Sequence, residues 1–280
     1  MVVLTNGSLR ATFAPEAGMV CASLTADGAE LLGQRGGLEK SRTTGSTFGI
    51  PLLHPWANRV DLEVDSPRAR IDAETGLPIH GLLNGWPDWD VTDVTESALT
   101  ARFDFGAHPE LLSAFPYPHV IAVRATLDAA GLTIATRVTS TGSAGPVPIA
   151  FGWHPYLTLP DEPRVSLPVR DRVVLDERKL PTGEIQRMGF PDEFPLHHPF
   201  DGGFVDVPDG VRFLLRGGGR ETAVEFLRGY NCAQLFVPEG QGLIAFEPMT
   251  APTNALHSGT GLRRESDFEA VFRVATRTYP

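Results

Sequence analysis

Along most of this chain apolar side chains recur at every second position. Leu99, Ala101, Phe103 and Phe105 are interleaved with Thr100, Arg102 and Asp104, the period of a strand with one buried face. Ile121, Val123, Ala125 and Leu127 continue the pattern, Asp128 to Gly131 interrupts it, and Leu132, Ile134 and Val138 resume it, which predicts a hairpin. The same alternation marks Leu9-Ala11-Phe13, Val211-Phe213-Leu215, Val224-Phe226 beyond the turn Gly217 to Gly219, and Phe268-Ala270-Phe272-Val274. Helical spacing is confined to a turn around Glu110 to Ala114. Short alternating runs over the whole length predict an all-β protein, an antiparallel sandwich or barrel rather than repeated βα units.

A length of 280 residues admits two modest domains or one large all-β domain. No shift of composition marks a linker, so residues 1–280 are read as one domain. The proline-rich segment Leu180 to Gly203 reads as a long loop, and a loop of that length in a compact domain is often functional. A formal charge of −10 argues against nucleic acid or an anionic membrane as partner, since both demand clustered Lys and Arg. A neutral polyhydroxylated ligand stays compatible. The two cysteines, Cys21 and Cys232, are too few for a disulfide framework or a thiolate zinc cluster. No apolar stretch is long enough to span a bilayer, and Asn6 and Gly7 interrupt the N-terminus before a signal-type apolar segment forms. A cytoplasmic location is the expectation.

The sequence lacks a Gly-x-Gly-x-x-Gly motif after a strand, a Walker loop, Gly-x-Ser-x-Gly and His-Glu-x-x-His, which removes the nucleotide, hydrolase-elbow and zincin readings. Four polar residues beside prolines and aromatics remain: Arg59 in GIPLLHPWANRV, His80 in PIHGLLNGW, His154 in FGWHPYLTLP and Glu247 in IAFEPMTAPTNAL. His154 follows the apolar run Ile149 to Trp153, where it is either a core histidine bonded to backbone or an acid at a strand end. Glu247 follows Leu243 to Phe246, where a carboxylate needs an arginine partner or a ligand. A sugar site requires planar donors for hydroxyls, an apolar wall, and an acid and base near the anomeric carbon. These four, with Trp56, Trp86, Trp89 and Trp153 nearby in sequence, could supply all three. The adjacent His197 and His198 point apart on an extended chain and lack a carboxylate or thiolate cluster, so a surface loop rather than a metal site is expected there.

At the same segments the chain resembles the aldose 1-epimerase (galactose mutarotase) family. The resemblance rests on PLLHPWANR ending in Asn58-Arg59, on His80-Gly81, on His154-Pro155-Tyr156 and on Glu247-Pro248, in that order. It implies a large antiparallel β-sandwich of the galactose mutarotase-like supersandwich kind, with the sugar in an open cleft on one sheet. It also implies that Glu247 is the general base, that His154 is the general acid, and that Arg59 and His80 bind sugar hydroxyls. Asp201 in HPFDGGF best matches a further aspartate that contacts the sugar. No metal and no other cofactor is implied. His54 departs from the family pattern, which often has an aromatic or other apolar residue before the proline.

Anomer exchange in this scheme needs Glu247 ionised and His154 protonated at neutral pH, the latter favoured by a nearby carboxylate. Two alternatives stand beside it. A hexose-6-phosphate 1-epimerase needs additional cations, and no Lys/Arg cluster stands beside the motifs in sequence. A non-catalytic carbohydrate-binding sandwich would use the tryptophans as stacking platforms and would not need both His154 and Glu247.

Overall fold

In the computed structural model, residues 1–44, 46–142, 145–196 and 199–279 are described; His197 and His198 lie outside them. Strand makes up 51% of the structure and helix 9%. The predicted hairpin forms from His119–Asp128 and Gly131–Ser140, with Asp128 opposite Gly131. Gly131 is there because the turn requires it: at its φ of 135° a Cβ would lie 2.2 Å from the Val274 carbonyl oxygen.

Two large antiparallel sheets carry the fold. One has nine strands, and the hairpin sits inside it beside Asp267–Thr278 on one flank and Ala98–Asp104 on the other. The other has eight strands, whose middle consists of Phe200–Val205, Cys232–Val237 and Leu243–Met249 in antiparallel succession. A four-stranded sheet of residues from Val2 to Glu30 and a two-stranded ribbon complete it.

The alternation explains how the two large sheets meet. Phe246 and Phe213, one from each sheet, have ring centroids 5.6 Å apart, and Trp153 lies 5.9 Å from Phe272. The Trp153 indole N–H donates to the Thr136 hydroxyl at 2.9 Å, satisfying two polar groups that burial would otherwise penalise. Leu4, Phe13, Ile121, Ile134, Phe226, Ile244 and Phe272 all belong to one continuous apolar cluster. On Leu243–Met249, Ile244 and Phe246 face this core, so Ala245 and Glu247 face the other side of the sheet.

Three expectations need correction. Leu180 to Gly203 is not a loop: Pro181–Arg187 pairs with Asp171–Leu175, and Phe200–Val205 is a central strand. Pro181–Arg187 is an edge strand, mostly exposed on both faces, and such a strand carries no alternation. Helix extends beyond Pro109–Ala114 to Gly37–Thr44 and Ala255–Ser258. Gly37–Thr44 buries only Ser41, so no apolar stripe announces it. Finally, the four tryptophans are all core residues, between 0% and 7% exposed. Among the described residues no helix is long and apolar enough to cross a membrane.

Candidate active site

On the outward face of the eight-stranded sheet the register places Gln234 opposite Glu247, and Asp201 opposite Phe236. Gly203 faces Gln234, whose amide oxygen would lie 3.0 Å from a Cβ there. The missing side chain leaves room for the Gln234 amide, which donates to the Asp201 carboxylate. His154 sits between the short strands Gly152–Trp153 and Tyr156–Thr158, with its backbone N–H held by the Pro51 carbonyl at 3.1 Å. Its ring stacks on Tyr156 at a centroid distance of 3.9 Å. Arg59 and His80 come from a neighbouring segment, where the His80 N–H donates to Asn58. His80 has a φ of 65°, and at the following Gly81 a Cβ would lie 2.2 Å from the His54 carbonyl oxygen. The His80-Gly81 pair is thus what allows this segment to lie directly against His54.

Arg59, His80, His154, Asp201 and Glu247 line one cavity of about 220 Å³, together with Arg35, Asn58, Arg70, Asp72, Ile79, Tyr156, Gln234 and Phe236. The cavity has room for a single sugar ring. Its apolar walls are Tyr156, Phe236 and Ile79, not the tryptophans.

Glu247 Oε1 lies 3.1 Å from His154 Nε2, and both side chains are about as buried as core residues. Among the described residues Glu247 makes no contact with an arginine within ion-pair distance; its partner is the imidazole. Glu247 Oε2, His154 Nδ1 and His80 Nδ1 are buried without a hydrogen-bond partner. Buried polar atoms are normally satisfied, and leaving three of them open around one cavity is costly unless a polar ligand uses them.

Burial pushes the Glu247 carboxyl well above the usual carboxylate range, and the Asp201 charge pushes it further. Burial likewise holds His154 well below the ordinary imidazole value, with His80 and Arg35 adding to the effect. Burial thus works against the expected ionised Glu247 beside a protonated His154 and toward the neutral form of the pair, a carboxyl beside a neutral ring, because desolvation of two charges opposes their mutual attraction. Either form of the pair holds the same number of protons, so a single transfer across 3.1 Å converts one into the other. Burial, with Arg70, Arg59 and Arg35 adding to it, likewise holds His80 well below the ordinary imidazole value.

Arg59 donates from Nε to Asp72 at 2.9 Å and from Nη1 to the Asn58 side chain at 3.2 Å. Burial alone would raise the Asp72 carboxyl, but its bonds to Arg59 and Thr75 bring it below its ordinary value. No Lys/Arg cluster stands beside the motifs in sequence, yet the fold brings Arg35, Arg59 and Arg70 to one cavity. Arg35 and Arg70 stand in polar stretches with no motif character and arrive only through tertiary folding. Asn58 and Tyr156 lie inside the segments PLLHPWANR and His154-Pro155-Tyr156, so adjacency was the signal available for them. Among the described residues no three His, Cys, Asp or Glu side chains are grouped as a metal site.

With this geometry established, comparison with known proteins defines the class. This chain belongs to the aldose 1-epimerase family, which matches it over residues 1–267. It is 26% identical over 246 residues to YihR of Escherichia coli (strain K12), itself an uncharacterized protein, covering 76% of this chain and 75% of YihR. In fold it is similar to a galactose mutarotase-like protein of Clostridium acetobutylicum, with a TM-score of 0.81, 18% identity and coverage of 99% and 94% of the two chains. It is also similar to a galactose mutarotase-like protein of Lactobacillus casei, with a TM-score of 0.76, 19% identity and coverage of 99% and 100%.

Proposed function

We propose that this protein is an aldose 1-epimerase, an isomerase that interconverts the α and β anomers of an aldose by opening and reclosing its ring. The observation that carries the reading is the buried Glu247–His154 pair, 3.1 Å apart at the wall of a sugar-sized cavity, with one Glu247 oxygen unpartnered.

In the productive form Glu247 is the carboxylate and His154 the imidazolium. Arg59 and Arg35 favour that carboxylate, and the hydroxyls of a bound sugar add hydrogen bonds to it. Glu247 takes the proton of the C1 hydroxyl, and the O–H bonding pair becomes the second bond of a C1 carbonyl. The C1–O5 bond breaks, and its pair passes to O5, which receives the proton of His154. Rotation about C1–C2 presents the other carbonyl face. Reclosure runs the same transfers backwards, O5 returning its proton to His154 and Glu247 returning its own to O1. Each general acid or base contributes about 10²- to 10⁴-fold. Arg59, His80 and Asp201 hold the other hydroxyls, and the chain acts as one domain, 1–280, without a cofactor. The free, buried Cys21 and Cys232 fit a cytoplasmic location.

A purely carbohydrate-binding role has less support, because the tryptophans it would use as platforms are in the core. Polarimetry of freshly dissolved α-glucose and α-galactose, with and without a chelator, tests the reading. Accelerated loss of rotation in both conditions is expected; decay at the solvent rate for these and for sugars with charged substituents refutes it.

A further inference from the structure

The cavity gathers three guanidinium groups, and they are not equivalent. Arg59 is committed to Asp72. Arg35 and Arg70 each make a single side-chain hydrogen bond, to the Tyr156 hydroxyl at 2.7 Å and to the Thr47 hydroxyl at 3.3 Å. Those two hydroxyls are themselves 2.7 Å apart, so one chain of bonds joins both arginines. Among the described residues neither arginine has a carboxylate within 4.0 Å. The acids of the cavity are engaged elsewhere: Asp72 by Arg59 and Thr75, Glu74 by Lys179, Asp201 by Gln234.

The position of this pair relative to the acid–base couple defines what it faces. Tyr156, whose hydroxyl ties the two arginines together, stacks on the His154 ring. The Arg70 charge bears on His154 and not on Glu247, the Arg35 charge bears on both, and Asp201 and Gln234 flank Glu247. Through the Tyr156 and Thr47 hydroxyls the linked pair is therefore anchored to the imidazole side of the site. In the reaction proposed above the imidazole serves the ring oxygen. In an aldohexose the ring oxygen is bonded to C5, and C5 carries C6. A group on C6 thus extends past His154 toward Arg35 and Arg70.

Resting on that reading of the site, we infer that Arg35 and Arg70 bind an anionic substituent on C6, and that the preferred substrates are aldoses bearing a phosphate, sulfonate or carboxylate there. A neutral hydroxyl needs one donor and gives little return for holding two like charges together. An oxyanion takes several N–H donors at once, and planar guanidinium forks match its geometry. The electrostatics agree: burial holds the Arg70 guanidinium below its ordinary value, with the Arg35 charge contributing, and an anion relieves both effects.

The test is a panel of initial exchange rates, corrected for the uncatalysed rate, with glucose, glucose 6-phosphate, glucuronate and 6-deoxyglucose 6-sulfonate. The wild-type protein should show a kcat/KM at least tenfold higher for one or more of the charged sugars than for glucose, and the panel identifies which anion is preferred. Arg70→Gln and Arg35→Gln should each reduce kcat/KM for that sugar at least tenfold more than for glucose, with Arg70→Lys restoring part of the loss. A tenfold change corresponds to about 1.4 kcal/mol. Glucose handled as well as or better than every charged sugar overturns the inference, while the epimerase reading stands. So does an equal loss for all sugars in both folded Gln variants. If either variant fails to fold, the wild-type preference alone decides. Exchange of none of the four, nor of galactose, by the wild-type protein overturns the proposed function itself.

Discussion

Asp201 and Glu247 face the same cavity from strands separated by one, and the strand between them contributes Gln234, which bonds Asp201 and stands opposite Glu247. Buried Glu247 is already reluctant to ionise, and the Asp201 charge makes it more so. The two form a graded pair in which one acidic residue tunes the proton affinity of the other.

This sets the shape of the pH profile. The active pair holds one exchangeable proton, so activity is lost when the pair gains a second proton or loses the one it has, and the two limits belong to the pair. His154 is lowered and Glu247 raised. The acid limb of kcat/KM should therefore fall below the ordinary imidazole value of about 6.5, and the basic limb well above the carboxylate value of about 4.3. Asp201→Asn removes a charge that raises Glu247, so the basic limb should move to lower pH. Rates measured from pH 4 to 10 check both statements; an unmoved basic limb in that variant separates Asp201 from Glu247.

For the hydroxyl ligands the substitutions must respect the backbone. His80 sits at φ 65°, a region that Asn tolerates better than Ala, so His80→Asn is the informative change. Together with Arg59→Gln it should raise KM by about 10- to 100-fold through loss of charged or directed hydrogen bonds. The change in kcat should be smaller. Steady-state kinetics decide it, and an unchanged KM in both folded variants moves the hydroxyl contacts elsewhere.

Much of this was legible in the sequence because sandwich strands bury one face, and Leu99 to Phe105 or Phe268 to Val274 display that directly. Glu247 and His154 stood out as polar residues inside apolar runs. Arg35 and Arg70 did not, since an arginine in a polar stretch looks like solvent-facing surface until folding closes the cavity around it. The tryptophans misled for the opposite reason. A large core needs large side chains, and Trp153 is fully buried against Phe272. His54, the departure from the family pattern, proved to be structural: its Nε2 lies 2.8 Å from His119 Nε2, deep among Phe105 and Phe151.

That pair makes a prediction about stability. His119 Nδ1 bonds the Tyr117 carbonyl, so its proton is there, its Nε2 accepts, and His54 Nε2 donates. Burial lowers both, His119 to about 4. A group whose folded pKa lies below its unfolded value contributes full stability above the unfolded value, about 6.5, and loses it as pH falls toward the folded value. Thermal melts should show Tm dropping between pH 6.5 and 4. The double variant His54→Leu/His119→Leu should show a shallower drop, and an identical slope would remove the pair as a source of acid sensitivity.

The central claim is that Glu247 and His154 exchange protons with the sugar as one unit, and magnetisation exchange between the α and β anomeric protons measures it directly. With a sugar that the wild-type protein interconverts, Glu247→Gln and His154→Asn should each reduce the exchange rate at saturation by 10²-fold or more, about the contribution of one general acid or base. Sugar affinity should change far less. The double variant should be scarcely slower than the worse single one, because groups acting as a unit lose their effect together. Exchange at close to the wild-type rate in either correctly folded single variant would contradict the account.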